Sequence, residues 1–217
     1  MGDVGGGNRY RIYRGNKMDF LEFFFYLVFF GLLVVCAYQY IYRNLESFQL
    51  KCIVSTVDGE KYCVRERDKL QDAADLLANV TNQCKDLVKY MEKTYPGDKR
   101  VQQLVERFNP KTIMETLPTS EFTAYSENKG EKVAFCLNKK KDDDSSLIDD
   151  HTLMFVSLHE LTHVMTASTG HGEEFWENFK FLLEGAKEAG IHDPMDYKKK
   201  PTSYCGMTIR DNPYYDV

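Results

Sequence analysis

From Phe23 to Tyr42 the chain runs for 20 residues without a charge, FFFYLVFFGLLVVCAYQYIY. At 1.5 Å of rise per helical residue, about 20 apolar residues cross the ~30 Å hydrocarbon layer of a bilayer. Tyr38, Tyr40 and Tyr42 gather at one end, where amphipathic rings settle at headgroup level. A buried core helix would rarely be apolar on every face. A cleaved signal peptide is the alternative, with Val35-Cys36-Ala37 as the cleavage site, although the apolar run is long for a signal and continues past it. The expected organisation is a basic tail at 1–18, a transmembrane helix at 19–43 with residues 20–42 in the lipid, and a soluble domain at 44–217. Arg9, Arg11, Arg14 and Lys17 precede the span, while Arg43, Glu46 and Lys51 follow it. This bias predicts a single-pass membrane protein with a cytoplasmic N-terminus and its large domain on the far side. Gly2 is present, but Gly6 stands where a myristoylation signal has Ser or Thr.

The soluble part is acidic. Residues 44–217 carry 23 Lys and Arg against 30 Asp and Glu, a net charge of −7. Gripping phosphates rests on neutralising their charge, so a nucleic-acid partner is not expected. The six cysteines, at 36, 52, 63, 84, 136 and 205, form no Cys-x-x-Cys pair, which argues against a zinc ribbon or a thioredoxin-type site. Cys52 and Cys63 flank Asp58-Gly59, a strong hairpin signal. Spacing leaves open whether they are disulfide-bonded, as an oxidising compartment would permit, or small buried thiols.

After a linker from residue 44, the pattern predicts a hairpin of Cys52–Thr56 and Lys61–Arg65. Leu70, Ala73, Ala74, Leu77, Val80, Cys84, Leu87, Val88 and Met91 recur at helical spacing within 66–94, and Pro96-Gly97 stops the helix. A short helix follows at Lys99–Phe108. The next hairpin pairs Phe122–Ser126 with Lys132–Leu137 around Asn128-Lys129-Gly130. Lys139–Asp144 reads as a solvated charged loop. Asp149 or Asp150 caps a helix that is apolar around most of its circumference and is expected to end at Gly170. A further helix spans Glu173–Ala189, and the tail from Ile191 reads as loop. The expected class is α+β, a small antiparallel sheet with three or more helices.

The apolar helix carries His159-Glu160-Leu161-Thr162-His163, an HExxH motif. Residues four apart share one helical face, so both imidazoles can reach one zinc ion. Glu160 sits beside that face, placed to take a proton from zinc-activated water as the water attacks a carbonyl. A third ligand is needed. His171 follows a glycine that can turn the chain back, and Glu184 is the competitor at a thermolysin-like separation. Tyr204 and His192 are the candidates for stabilising the developing oxyanion.

His159-Glu-Leu-Thr-His163 followed by His171-Gly172-Glu173-Glu174-Phe175-Trp176 resembles the SprT-like and WLM families of zincin metallopeptidases. The resemblance implies His159, His163 and His171 as Zn2+ ligands and Glu160 as general base. The His163-to-His171 gap is longer than the usual WLM and metzincin spacing, which leaves the subfamily open. In related zincins a strand before the active helix pairs with the extended substrate. Val133–Cys136 is the expected strand here, working by β-addition. More loosely, 121–137 and 179–214 resemble metallopeptidases of large DNA viruses.

Three functions follow as expectations. The first is a membrane-tethered zinc metallopeptidase acting on a protein or peptide substrate, with Glu160 passing its proton on to the leaving amine. The second is a structural protein of a virion or viral inner membrane that keeps the fold and contacts capsid proteins. The third, a protease for proteins cross-linked to DNA, is disfavoured by the acidic domain.

Overall fold

The computed structural model describes residues 20–48, 50–141 and 145–216, so the basic tail at 1–18 and part of the charged loop lie outside the described residues. The chain divides at Leu45/Glu46 into two compact units. The first is built on helix α1, Phe20–Phe48. Its stretch Leu21–Ile41 is long and apolar enough to cross a membrane, and none of it is buried against protein. The expected linker begins later than residue 44, because no Gly or Pro stands between residue 44 and Phe48 to stop the helix.

The second unit has the α+β composition that the pattern predicts. Strands β1 (Leu50–Val54) and β2 (Lys61–Arg65) pair antiparallel with Cys52 opposite Cys63, and these two cysteines form a disulfide. Helix α2, Leu70–Thr94, buries the expected stripe from Ala73 to Met91 and packs on β2. Cys84 stays a buried free thiol on that stripe. Helix α3, Lys99–Arg107, starts at Asp98, whose side chain accepts from the Arg100 N–H.

A three-stranded sheet follows. It contains β3 (Ile113–Glu115), β4 (Ala124–Glu127) and β5 (Lys132–Phe135) in the order β3-β5-β4. The β4–β5 hairpin is the expected one, turning through Asn128, Lys129 and Gly130, all at positive φ. Gly130 is required there, since a Cβ would stand 2.7 Å from the Arg107 carbonyl oxygen. Strand β3 is too short to show periodicity and pairs parallel to β5, so the sequence did not reveal it. Its presence corrects the expectation for Val133–Cys136. That strand is central, with partners on both sides, and has no free edge to offer a substrate. The edge strands are β3 and β4.

Helix α4, Asp150–Met165, is capped by Asp149, whose carboxylate accepts from the Thr152 N–H. It packs against α2, α3, α5 (Glu173–Glu188), β4 and β5, and nearly every side chain along it is buried. Each fully buried leucine on it, such as Leu153 or Leu158, contributes roughly 1.5–3 kcal/mol. Helix α4 ends at Met165, short of the expected stop at Gly170. Gly185 lets α5 approach the Met91 thioether of α2 more closely than any side chain would allow. The tail is more ordered than the expected loop. Strands β6 (Thr202–Tyr204) and β7 (Met207–Ile209) form a hairpin, and a second disulfide, Cys136–Cys205, ties it to the end of β5.

The charged loop is likewise more than a solvated face. The carbonyls of Asn138 and Lys139 accept from the N–H groups of Cys205 and Gly206, and that of Lys141 from the Arg65 guanidinium. Next to it, Glu115 is buried with Arg65 and Arg67, accepting from the Arg65 backbone N–H at 2.7 Å and from the Arg67 guanidinium. This cluster joins β2 to β3. Glu115→Ala would remove the buried carboxylate that accepts from the Arg65 backbone N–H and the Arg67 guanidinium. A loss of about 3–5 kcal/mol in denaturant-unfolding stability is expected.

Candidate metal centre

Four-residue spacing on α4 puts His159 and His163 on one face, with ring centroids 5.0 Å apart. After α4 the chain turns at Gly170 (φ +79°) and returns His171 to that face. Its ring centroid lies 4.9 Å from His159 and 4.8 Å from His163. One ligand nitrogen from each of the three lies within 4.8 Å of the others, and the Nε2 atoms of His159 and His171 are 3.0 Å apart. Two nitrogens bound tetrahedrally to one zinc at ~2.05 Å would be about 3.3 Å apart, so the arrangement fits a single ion. Glu184, the competing third ligand, is exposed on α5 and outside this group. Phe175, fully buried at the start of α5, packs its ring within 5 Å of all three imidazoles and holds them from behind.

The electrostatics suit a cation. Burial depresses His159 to about 3 and His163 to about 4, each helped by the neighbouring imidazoles. Both rings are therefore neutral at physiological pH, with lone pairs free for a metal. Glu160 is buried, its Oε2 has no hydrogen-bond partner among the described residues, and burial pushes its carboxyl up to about 8. An unpartnered buried carboxyl beside three convergent imidazoles suits a group that exchanges a proton with a bound reactant.

His159 and Glu160 form one wall of a cleft of about 510 Å³. Thr123 and Ala124 at the β4 edge, Trp176 and Phe179 of α5, and Met207–Arg210 of the C-terminal hairpin complete it. Tyr204 also lines the cleft. Its hydroxyl accepts from the Cys136 N–H and donates to the Thr123 carbonyl, both at 3.2 Å, and burial pushes its pKa well up. That single proton is thus already engaged by the β4 end. His192, the other oxyanion candidate, does not line the cleft. It is buried against His151, with ring centroids 4.3 Å apart, and against Phe155. The wall at 207–210 was missed from the sequence, although Cys205-Gly206 between two short alternating runs is a hairpin signal.

The WLM domain family matches this chain over residues 60–212. An uncharacterized protein of Acanthamoeba polyphaga mimivirus is 25% identical over 185 residues, covering 83% of this chain and 93% of its own. One from Invertebrate iridescent virus 6 is 31% identical over 108 residues, covering 49% of this chain and 59% of its own. The crystal structure of Wss1 from Saccharomyces cerevisiae superposes with a TM-score of 0.42 and 18% identity, over 57% of this chain and 86% of that one. That likeness is too distant to support a comparison of sites. Of the two families that the motif resembles, the match is to WLM.

Burial also depresses His192, to about 4, well below the 6.5 of an unfolded histidine. Between those values the unfolded chain binds a proton that the folded chain does not, so stability falls as pH drops from 6.5 towards 4. His192→Phe removes this dependence. In chelator, urea unfolding at pH 7 and pH 4.5 is expected to show wild type losing on the order of 2 kcal/mol more than the variant over that interval.

Proposed function

The chain belongs to the WLM domain family, and we propose that it is a membrane-tethered zinc metallopeptidase whose ion is held by His159, His163 and His171. The observation that carries the proposal is the convergence of three imidazoles beside the buried carboxyl of Glu160, whose Oε2 has no hydrogen-bond partner among the described residues, with His159 and Glu160 lining one cleft. When bound, zinc supplies a Lewis acid that lowers the pKa of coordinated water towards ~7 and polarises the substrate carbonyl.

The chain's own residues do the rest. Glu160 takes the proton from the attacking water at Oε2 and delivers it to the leaving amine. The apolar walls of Phe155, Phe179, Trp176 and Met207 exclude bulk water from the reacting groups. The unpaired edge of β4, which borders the cleft at Ala124, takes the substrate as an added antiparallel strand. Helix α1 tethers the domain to a bilayer. The two disulfides of the soluble unit support an oxidising compartment for it, on the side opposite the basic N-terminal tail. The net charge of −7 over residues 44–217 favours a polypeptide substrate over one bound to nucleic acid.

The test is Glu160→Gln in the full-length protein, purified in detergent and assayed on an unfolded protein substrate. Hydrolysis should fall by roughly 10²–10⁴-fold while zinc content stays at one ion per chain. Cleavage at the wild-type rate would exclude Glu160 as the base. Absence of zinc from wild type would remove the metallopeptidase reading.

A further inference from the structure

His159 and His163 are fixed by the buried helix that carries them, whereas His171 is exposed and reaches the centre from an irregular segment between α4 and α5. Three side chains from outside that segment hold it. Lys129, at positive φ in the β4–β5 turn, extends its ammonium to the carbonyl oxygens of Thr166, at 2.9 Å, and Ser168. Glu174, in the first turn of α5, accepts from the N–H groups of Ala167 at 3.2 Å and Ser168 at 3.1 Å. Asn178, one turn further along, donates to the Thr166 hydroxyl at 3.0 Å, with both residues buried.

The chemistry of these contacts is matched to what the segment lacks. At the end of α4, carbonyls that find no partner along the helix carry partial negative charge, and a cation is the favoured cap. The N–H groups of Ala167 and Ser168 are donors, and a carboxylate is their favoured acceptor. Lys129 therefore meets the carbonyls and Glu174 the amides, so both kinds of backbone group are held just before the segment delivers His171.

We propose that Lys129 and Glu174 are positioning residues for the third metal ligand: they set the path of residues 166–170 so that the His171 imidazole is already in place before the ion arrives. Lys129 also lies two residues beyond Glu127, the last residue of β4. The strand offered to substrate and the loop offered to the metal thus meet at one side chain. This inference rests on the zinc reading above.

Zinc affinity of the full-length protein in detergent, measured by competition with a chromogenic chelator, tests it for wild type, Lys129→Met, Lys129→Arg and Glu174→Gln. Loss of a residue that orients a ligand typically costs roughly 10–100-fold in metal affinity. That weakening is expected for Lys129→Met and, at its lower end, for Glu174→Gln, which keeps one carbonyl acceptor. Lys129→Arg should recover most of it. Peptidase activity of Lys129→Met should return at saturating zinc with KM unchanged, which a general loss of folding would not allow. His171→Ala, measured alongside, separates the two readings. If it weakens zinc binding while Lys129→Met and Glu174→Gln bind as wild type, the positioning role is overturned and the metal site stands. Should Lys129→Met unfold, Glu174→Gln alone decides, because its exposed side chain carries no core packing.

Discussion

A helix that is apolar around most of its circumference is stable in water only when it is covered on nearly every side, and the domain is assembled around that requirement of α4. Helices α2, α3 and α5 and strands β4 and β5 supply the cover. The burial that stabilises α4 also removes solvent from the side chains it carries. Two imidazoles on such a helix cannot easily hold protons, and a carboxyl there cannot easily lose one. The electrostatic character of the centre is thus a consequence of packing.

That burial leaves polar groups to be satisfied elsewhere, and the fold does so at a few joints. Glu115 with Arg65 and Arg67 joins the first hairpin to the sheet, where an unpaired charge would be costly. The disulfide Cys136–Cys205 and the Tyr204 hydroxyl bind the C-terminal hairpin to the ends of β5 and β4. The wall of the cleft at 207–210 is thus held by covalent and hydrogen-bonded ties, and Met207 and Arg210 remain exposed there.

The arrangement also explains why the third ligand needs separate support. A histidine within a helix inherits its position from the backbone ladder. One carried on a loop does not, and must be fixed by side chains that reach it from neighbouring elements. Phe175 does this for the ring itself, and the contacts of Lys129, Glu174 and Asn178 do it for the backbone that precedes it.

Local pattern alone determined a good deal. Apolar spacing located α2, α4 and α5, the turn residues located both early hairpins, and the HExxH spacing placed two imidazoles on one face with a carboxyl beside them. Each of these depends on residues a few positions apart, where chain geometry leaves little choice. Tertiary structure alone decided that β5 is central and that the edge strand bordering the cleft is β4, because the parallel partner β3 comes from a segment too short to be periodic. It decided that His171, and not Glu184, joins the other two histidines. It also made the C-terminal hairpin a wall of the cleft through a disulfide spanning 69 residues. Contacts between distant segments are set by how faces fit once they are packed, and no spacing along the chain encodes that fit.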